Sequence, residues 1–140
     1  MANALNRHEA LRPRAFTAAI VRRDAFGRHR AFRVLVAEAD GRIVGYASFV
    51  AGYNTDIAAR AMWMHDLFVL PARRGHGVGH ALVTAVAREA ARRRLACLEW
   101  AVRGSNTRAL RFYRRLGARV GQTRIASLRG RALVAIAARR

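Results

Sequence analysis

An apolar run, Leu67-Phe68-Val69-Leu70, is stopped by Pro71 and runs, through Ala72 and Arg73, into Arg74-Gly75-His76-Gly77-Val78-Gly79. From His80 to Arg94 the apolar positions Leu82, Val83, Val86 and Ala90 recur at helical spacing. Strand, glycine-rich turn and helix in this order put a helix start against a strand end. That junction suits an anion. Glycines let the backbone approach closely, and a first helical turn carries unpaired N–H groups at the positive end of the dipole. Arg73 and Arg74 add charge and guanidinium forks that match phosphate oxygens. Gly75, Gly77 and Gly79 fall at every second position, which is not the G-x-G-x-x-G dinucleotide spacing. No Lys-Ser/Thr pair follows, so it is not a P-loop either. Taken alone, the stretch has a second, less favoured reading as a basic surface turn.

The segments around it give it a setting. Residues 8–26 can form a helix, with Pro13 near its start or at a break. Residues 32–39 read as a strand, Asp40-Gly41 as a hairpin turn, and residues 43–50 as the returning strand. Residues 52–61 read as a loop and 62–70 as the next strand. Arg92, Arg93 and Arg94 close the central helix where its dipole is negative. Residues 95–102 are apolar apart from Glu99, as expected of a buried strand in parallel pairing. Ser105 or Asn106 can cap a helix carrying Ala109, Phe112, Tyr113 and Leu116, which Gly117 ends. Residues 119–128 are expected as a strand, and 130–138 as a short helix or strand.

At 140 residues and 53% hydrophobic content, a single domain over 1–140 with its own core is expected. No apolar run reaches the roughly 20 residues that span a bilayer, and the start lacks a signal-peptide core. The expectation is a cytoplasmic protein without membrane contact. One cysteine, Cys97, excludes an internal disulfide and a multi-cysteine metal site, and no metal is expected. Net charge is +19, and all 27 Lys/Arg positions are arginine. Such a field attracts polyanions, which keeps nucleic acid as a partner reading. Arginines occur in almost every segment, which favours solvated faces instead.

Two blocks now resemble one family. R-G-H-G-V-G at 74–79 is similar to the acetyl-coenzyme-A loop of GNAT N-acetyltransferases, R/Q-x-x-G-x-G/A, matched at Arg74, Gly77 and Gly79. N-T-R-A-L-R-F-Y-R-R-L-G-A at 106–118 resembles the family's second block, an Asn followed by an aromatic pair and Leu-Gly-Ala. D-L-F-V at 66–69 and L-E-W-A-V at 98–102 look like the diamine and polyamine acetyltransferase branch, which usually carries an acidic residue where this chain has His65. The resemblance implies an α/β (α+β) fold: a mixed, mostly antiparallel central sheet, helices on both faces, and an N-terminal strand shortened or absent. An open sheet edge of that kind would suit a homodimer.

The resemblance implies an acetyl-CoA-dependent N-acetyltransferase acting by direct attack of a primary amine of a small molecule. A protein or antibiotic amine is the alternative acceptor, and a CoA-sensing or nucleic-acid-binding protein on the same fold the alternative role. An amine near pKa 10 is mostly protonated at neutral pH, so the site needs a proton route, an oxyanion donor and an acid for the leaving thiolate. By resemblance Tyr113 is the acid. For proton removal the candidates are His65, whose residue type titrates nearest neutrality, Glu99 and Asp66. Arginine pairing is the structural alternative for both carboxylates. The resemblance also implies that Leu67, Phe68 and Val69 offer main-chain bonds to pantetheine. Arg74, Gly75, His76, Gly77, Val78, Gly79 and His80 would hold the pyrophosphate, and Asn106 the pantetheine arm. Arg73, Arg108 and Arg111 could meet the adenosine 3′-phosphate.

Overall fold

Asp40 and Gly41 both take left-handed backbone, φ 53° and 67°, as the tightest hairpin turns require. They join β1 (Arg33–Ala39) to β2 (Arg42–Asn54). The computed structural model describes Leu5, residues 16–122, Leu128 and residues 130–138. They fall into two compact units, Met1–Arg103 and Gly104–Arg140.

In the first unit β3 (Ala59–Val69) runs antiparallel to β2, from Asn54↔Ala59 to Gly45↔Val69. β4 (Cys97–Trp100) joins β3 in parallel. The sheet order β1-β2-β3-β4 is mostly antiparallel. α1 (Ala18–Phe26) starts at Thr17, whose hydroxyl accepts the Ile20 N–H at 3.2 Å. α2 (Val78–Arg92) buries Leu82, Val83, Val86 and Ala90. Gly45 lets it sit close to the sheet. A Cβ there would lie 2.9 Å from the Phe68 carbonyl oxygen, 3.1 Å from Leu82 Cδ1 and 3.3 Å from Val78 Cγ1. Met62 and Met64 are fully buried in β3. Neighbouring Tyr46 turns to the other face and packs with Phe68 and Leu5, flanked by Val34 and Leu70.

The second unit contains α3 (Thr107–Arg115) and α4 (Arg131–Ala137). Gly117 takes φ 84° just past α3, as the helix stop requires.

Several boundaries differ from the sequence reading. The loop expected over 52–61 is only a turn at 55–58, and both strands run on to meet it. Asn54 Oδ1 accepts the N–H groups of Asp56 at 2.8 Å and Ile57 at 3.3 Å. Ala58 supplies the left-handed residue, φ 49°. A side-chain amide therefore makes the turn where no glycine announces one. β4 is shorter than the expected 95–102, and α2 begins two residues before His80. Residues 119–122 carry no strand, and most of the rest of that expected strand lies outside the described residues. Residues 131–137 are helix, one of the two expected forms. Of the helix expected over 8–26, residues 8–15 lie outside the described residues, as does any shortened N-terminal strand. Among the described residues no helix is long and apolar enough to cross a membrane.

Candidate active site

Ser48↔Asp66 and Phe49↔Met64 are successive pairs of the β2–β3 ladder, so His65 is an extra residue on β3. This is a β-bulge, which bends and twists the strand that carries it. The parallel ladder to β4 stops at the same place, its last pair being Met64↔Trp100. Past it, no strand among the described residues pairs with 65–69 on that side. The Leu70 N–H donates to the Val44 carbonyl at 2.9 Å. Antiparallel alternation then aims the main-chain groups of Asp66 and Phe68 at β2, and those of Leu67 and Val69 away from it. Phe68 is therefore a core residue, with its ring centroid 6.2 Å from that of Tyr46. Of the three residues expected to offer main-chain bonds, Leu67 and Val69 line the open edge.

The glycine turn stands at the end of that edge. Gly75 and Gly77 take φ 87° and 79°, with nothing within 4 Å of where a Cβ would be. Left-handed backbone is what excludes other residues there. The Ala81 N–H donates to Gly77 O at 2.9 Å. The N–H groups of Val78, Gly79 and His80 precede that first helical bond and have no helical carbonyl behind them. The two arginines behave differently from the sequence expectation. Arg74 Nε donates to the Val69 carbonyl at 2.9 Å, and its guanidinium lies 5.8 Å from the Phe68 ring centroid. Arg73 pairs with Asp40 at 2.7 Å. Both brace the turn, so the groups it leaves open are chiefly main-chain N–H groups. His76 Nδ1 lies 3.0 Å from the Arg74 carbonyl, and His80 Nδ1 lies 3.4 Å from Thr84 Oγ1.

The acid–base candidates divide. His65 is exposed at the bulge. Asp66 Oδ2 accepts the Ser48 hydroxyl at 2.8 Å. Glu99 sits opposite Trp63, within the paired part of β3, and its Oε1 accepts Asn54 Nδ2 at 2.6 Å. Ser48 and Asn54 are neutral partners, where the sequence offered an arginine. Cys97 is half-buried, and burial, assisted by the Glu99 carboxylate, pushes its thiol up. A thiol held protonated is a poor nucleophile, as expected of a structural cysteine.

In the second unit Asn106 caps α3, its Oδ1 accepting the Ala109 N–H at 3.1 Å. Tyr113 is buried, its ring centroid 5.2 Å from that of Phe112 with the planes tilted by 56°. Sequence reasoning passed over Gly45 and Ser48, and put Asn54 in a loop instead of at a strand end. A glycine inside an apolar strand is a signal for close approach, and Asn-Thr-Asp is a turn signal. Nothing local marks Ser48 as the partner of Asp66, because that contact depends on strand register.

Residues 3–118 match the acetyltransferase (GNAT) family. The chain is 34% identical over 95 residues to an L-ornithine N5-acetyltransferase of Arabidopsis thaliana, covering 67% of this chain and 42% of that protein. It is 34% identical over 111 residues to a thialysine N-epsilon-acetyltransferase of Mus musculus, covering 70% of this chain and 62% of that one. Among solved structures, an integron cassette protein from the mobile metagenome of V. cholerae superposes with TM-score 0.82 at 23% identity, over 99% of this chain and 88% of that one. An aminoglycoside N-acetyltransferase in complex with CoA superposes with TM-score 0.64 at 21% identity, over 75% and 80% of the two chains. The last two likenesses concern the fold.

Proposed function

Because this chain belongs to the GNAT acetyltransferase family, we propose that it moves the acetyl group of acetyl-CoA to a primary amine of a small molecule by direct attack. The observation that carries this reading is the open edge of β3 leading into two left-handed glycines and an uncapped helix start. An extended chain ending in phosphates fits that sequence of groups. Leu67 and Val69 would hold the pantetheine arm by main-chain bonds. The turn from Arg74 to His80 would hold the pyrophosphate, with Arg74 bracing it through the Val69 carbonyl. The Oδ1 of Asn106 serves its helix, so its amide N–H2 is the group offered to pantetheine. Acetyl-CoA supplies an activated acetyl thioester.

This chain's own groups would then move protons. His65, at the bulge, takes the proton from the incoming ammonium, and Tyr113 gives one to the departing sulfur. A main-chain N–H of the open edge stabilises the oxyanion. Glu99, held by Asn54, fixes the end of the site. Acceptors of the amino-acid amine class are supported by relatives named for ornithine and thialysine. We propose further that residues 1–140 act as one transferase domain, a reading supported by a family match over residues 3–118, which reaches from the first unit into the second. Self-association is supported by the outer edge of β1, which has no strand neighbour among the described residues. A cytoplasmic setting is supported by the lone cysteine.

The test is acetyl-CoA-dependent thiol release against polyamines, ornithine, lysine analogues, aminoglycosides and short peptides. One amine class is expected to turn over. Tyr113→Phe is expected to lower kcat about 10²- to 10⁴-fold with CoA affinity kept. Failure of the wild type to bind CoA would sink the reading.

A further inference from the structure

A groove of about 420 Å³ lies between the end of α1 and the C-terminal half of α2, and includes residues of β1 and β2. Its apolar surface comes chiefly from Phe26, Leu35 and Ala85, with Phe49 buried beneath them. Phe26 is 67% exposed, so its ring is available to a ligand. Four arginines also line it, Arg30, Arg33, Arg88 and Arg92, against a single carboxylate, Glu89. That carboxylate is already engaged. It is 2.8 Å from Arg92, 3.5 Å from Arg33, and bonded at 2.7 Å to Arg93, which comes from outside the groove. Arg30 and Arg88 make no ion pair among the described residues. Arg88 and Arg92 stand one helical turn apart, on one face of α2.

Each simpler ligand leaves half of this surface unused. A cationic amine would be repelled by the arginines. A bare inorganic anion would leave the apolar floor wet, and a neutral hydrocarbon would leave the guanidinium groups without a partner. We infer that the groove is a binding site for a small organic anion with a flat apolar body, of the aryl carboxylate or sulfonate class. The apolar body lies on Phe26, Leu35 and Ala85, and the anionic group meets Arg30 and Arg88. The volume is within the usual range for small-molecule sites. It is separate from the glycine turn, since about 15 Å of helix rise separates Val78 from Arg88. The inference does not depend on the transferase reading.

The probe is 8-anilinonaphthalene-1-sulfonate, titrated into the full chain by fluorescence and calorimetry, with and without CoA. Saturable 1:1 binding is expected, unaffected by CoA. Uncharged N-phenyl-1-naphthylamine and inorganic sulfate are expected to bind at least about tenfold more weakly. Arg30→Ala and Arg88→Ala are each expected to weaken the dye about tenfold, while Arg42→Ala, at an exposed arginine outside the groove, changes nothing. Ala85→Trp should fill the floor and abolish binding. If it fails to fold, the two arginine variants, at exposed positions, still decide. Wild-type affinity in the Arg30→Ala/Arg88→Ala double variant would overturn the inference. So would equal binding of the uncharged analogue, equal weakening by Arg42→Ala, or displacement of the dye by CoA.

Discussion

From Ala59 to Met64, β3 lies between β2 and β4 along most of its length, and buries Met62 and Met64 completely. From His65 to Val69 it keeps β2 but has no strand on its other side among the described residues. Composition does not separate the two halves, since both are mainly apolar. One inserted residue does, by ending the parallel ladder where it bends the strand. The first half anchors the sheet, and the second turns main-chain groups outward. An interior strand can thus leave main-chain groups unpaired without a loop.

Substitutions can test that division. Met62→Ala should produce the largest effect, a loss of about 3 kcal/mol in urea unfolding, with CoA affinity of the folded fraction unchanged. Deleting His65 should do the reverse. Met64↔Phe49 and Asp66↔Ser48 then become neighbours in a regular ladder, so the fold is expected to survive. CoA affinity should fall tenfold or more by calorimetry, a change of about 1.4 kcal/mol. If the affinity holds, the bulge is not what opens the edge. Gly77→Ala should cost about 1 kcal/mol of stability through its left-handed backbone and weaken CoA, leaving the paired half of β3 intact by hydrogen exchange.

The smallest effect is expected away from β3. The Arg92 hydrogen bond, with Arg93 beside it, holds the Glu89 carboxyl below its usual 4.5. A lowered pKa contributes stability above the usual value, and that contribution is lost as pH falls through the lowered one. The stability difference between wild type and Glu89→Gln should therefore be present at neutral pH and shrink as pH falls below the usual 4.5. A difference that grew on acidification would contradict this pairing.

Much of this was readable before the structure. Asp-Gly announced the β1–β2 hairpin because only such a pair readily takes two left-handed residues. The spacing of Leu82, Val83, Val86 and Ala90 announced the buried face of α2. The glycine turn was legible as a strand-to-helix junction, though not the local roles of Arg73 and Arg74. Their partners, Asp40 and the Val69 carbonyl, depend on how the hairpin and the strand end fold back. The bulge at His65 left no mark, because Trp-Met-His-Asp-Leu has no glycine and no clean alternation. The partners of Asp66 and Glu99 were hidden for the same reason, since register, and not neighbourhood in sequence, brings Ser48 and Asn54 to them.

The bond from Asn54 to Glu99 joins residues 45 apart in sequence, whereas β1, β2 and β3 are linked by a two-residue and a four-residue turn. Closing so long a span costs more chain entropy than closing a hairpin. The meander can zip from its own turns, and β4 is expected to dock later, since its partner strand lies across the whole of α2 in sequence. The strand that docks last is also held by the fewest pairs, four in all. Brief native-state openings should therefore begin at β4, widening the edge beside Leu67 while the three-stranded meander stays closed. A ligand lying along that edge would hold shut the seam that folding closes last.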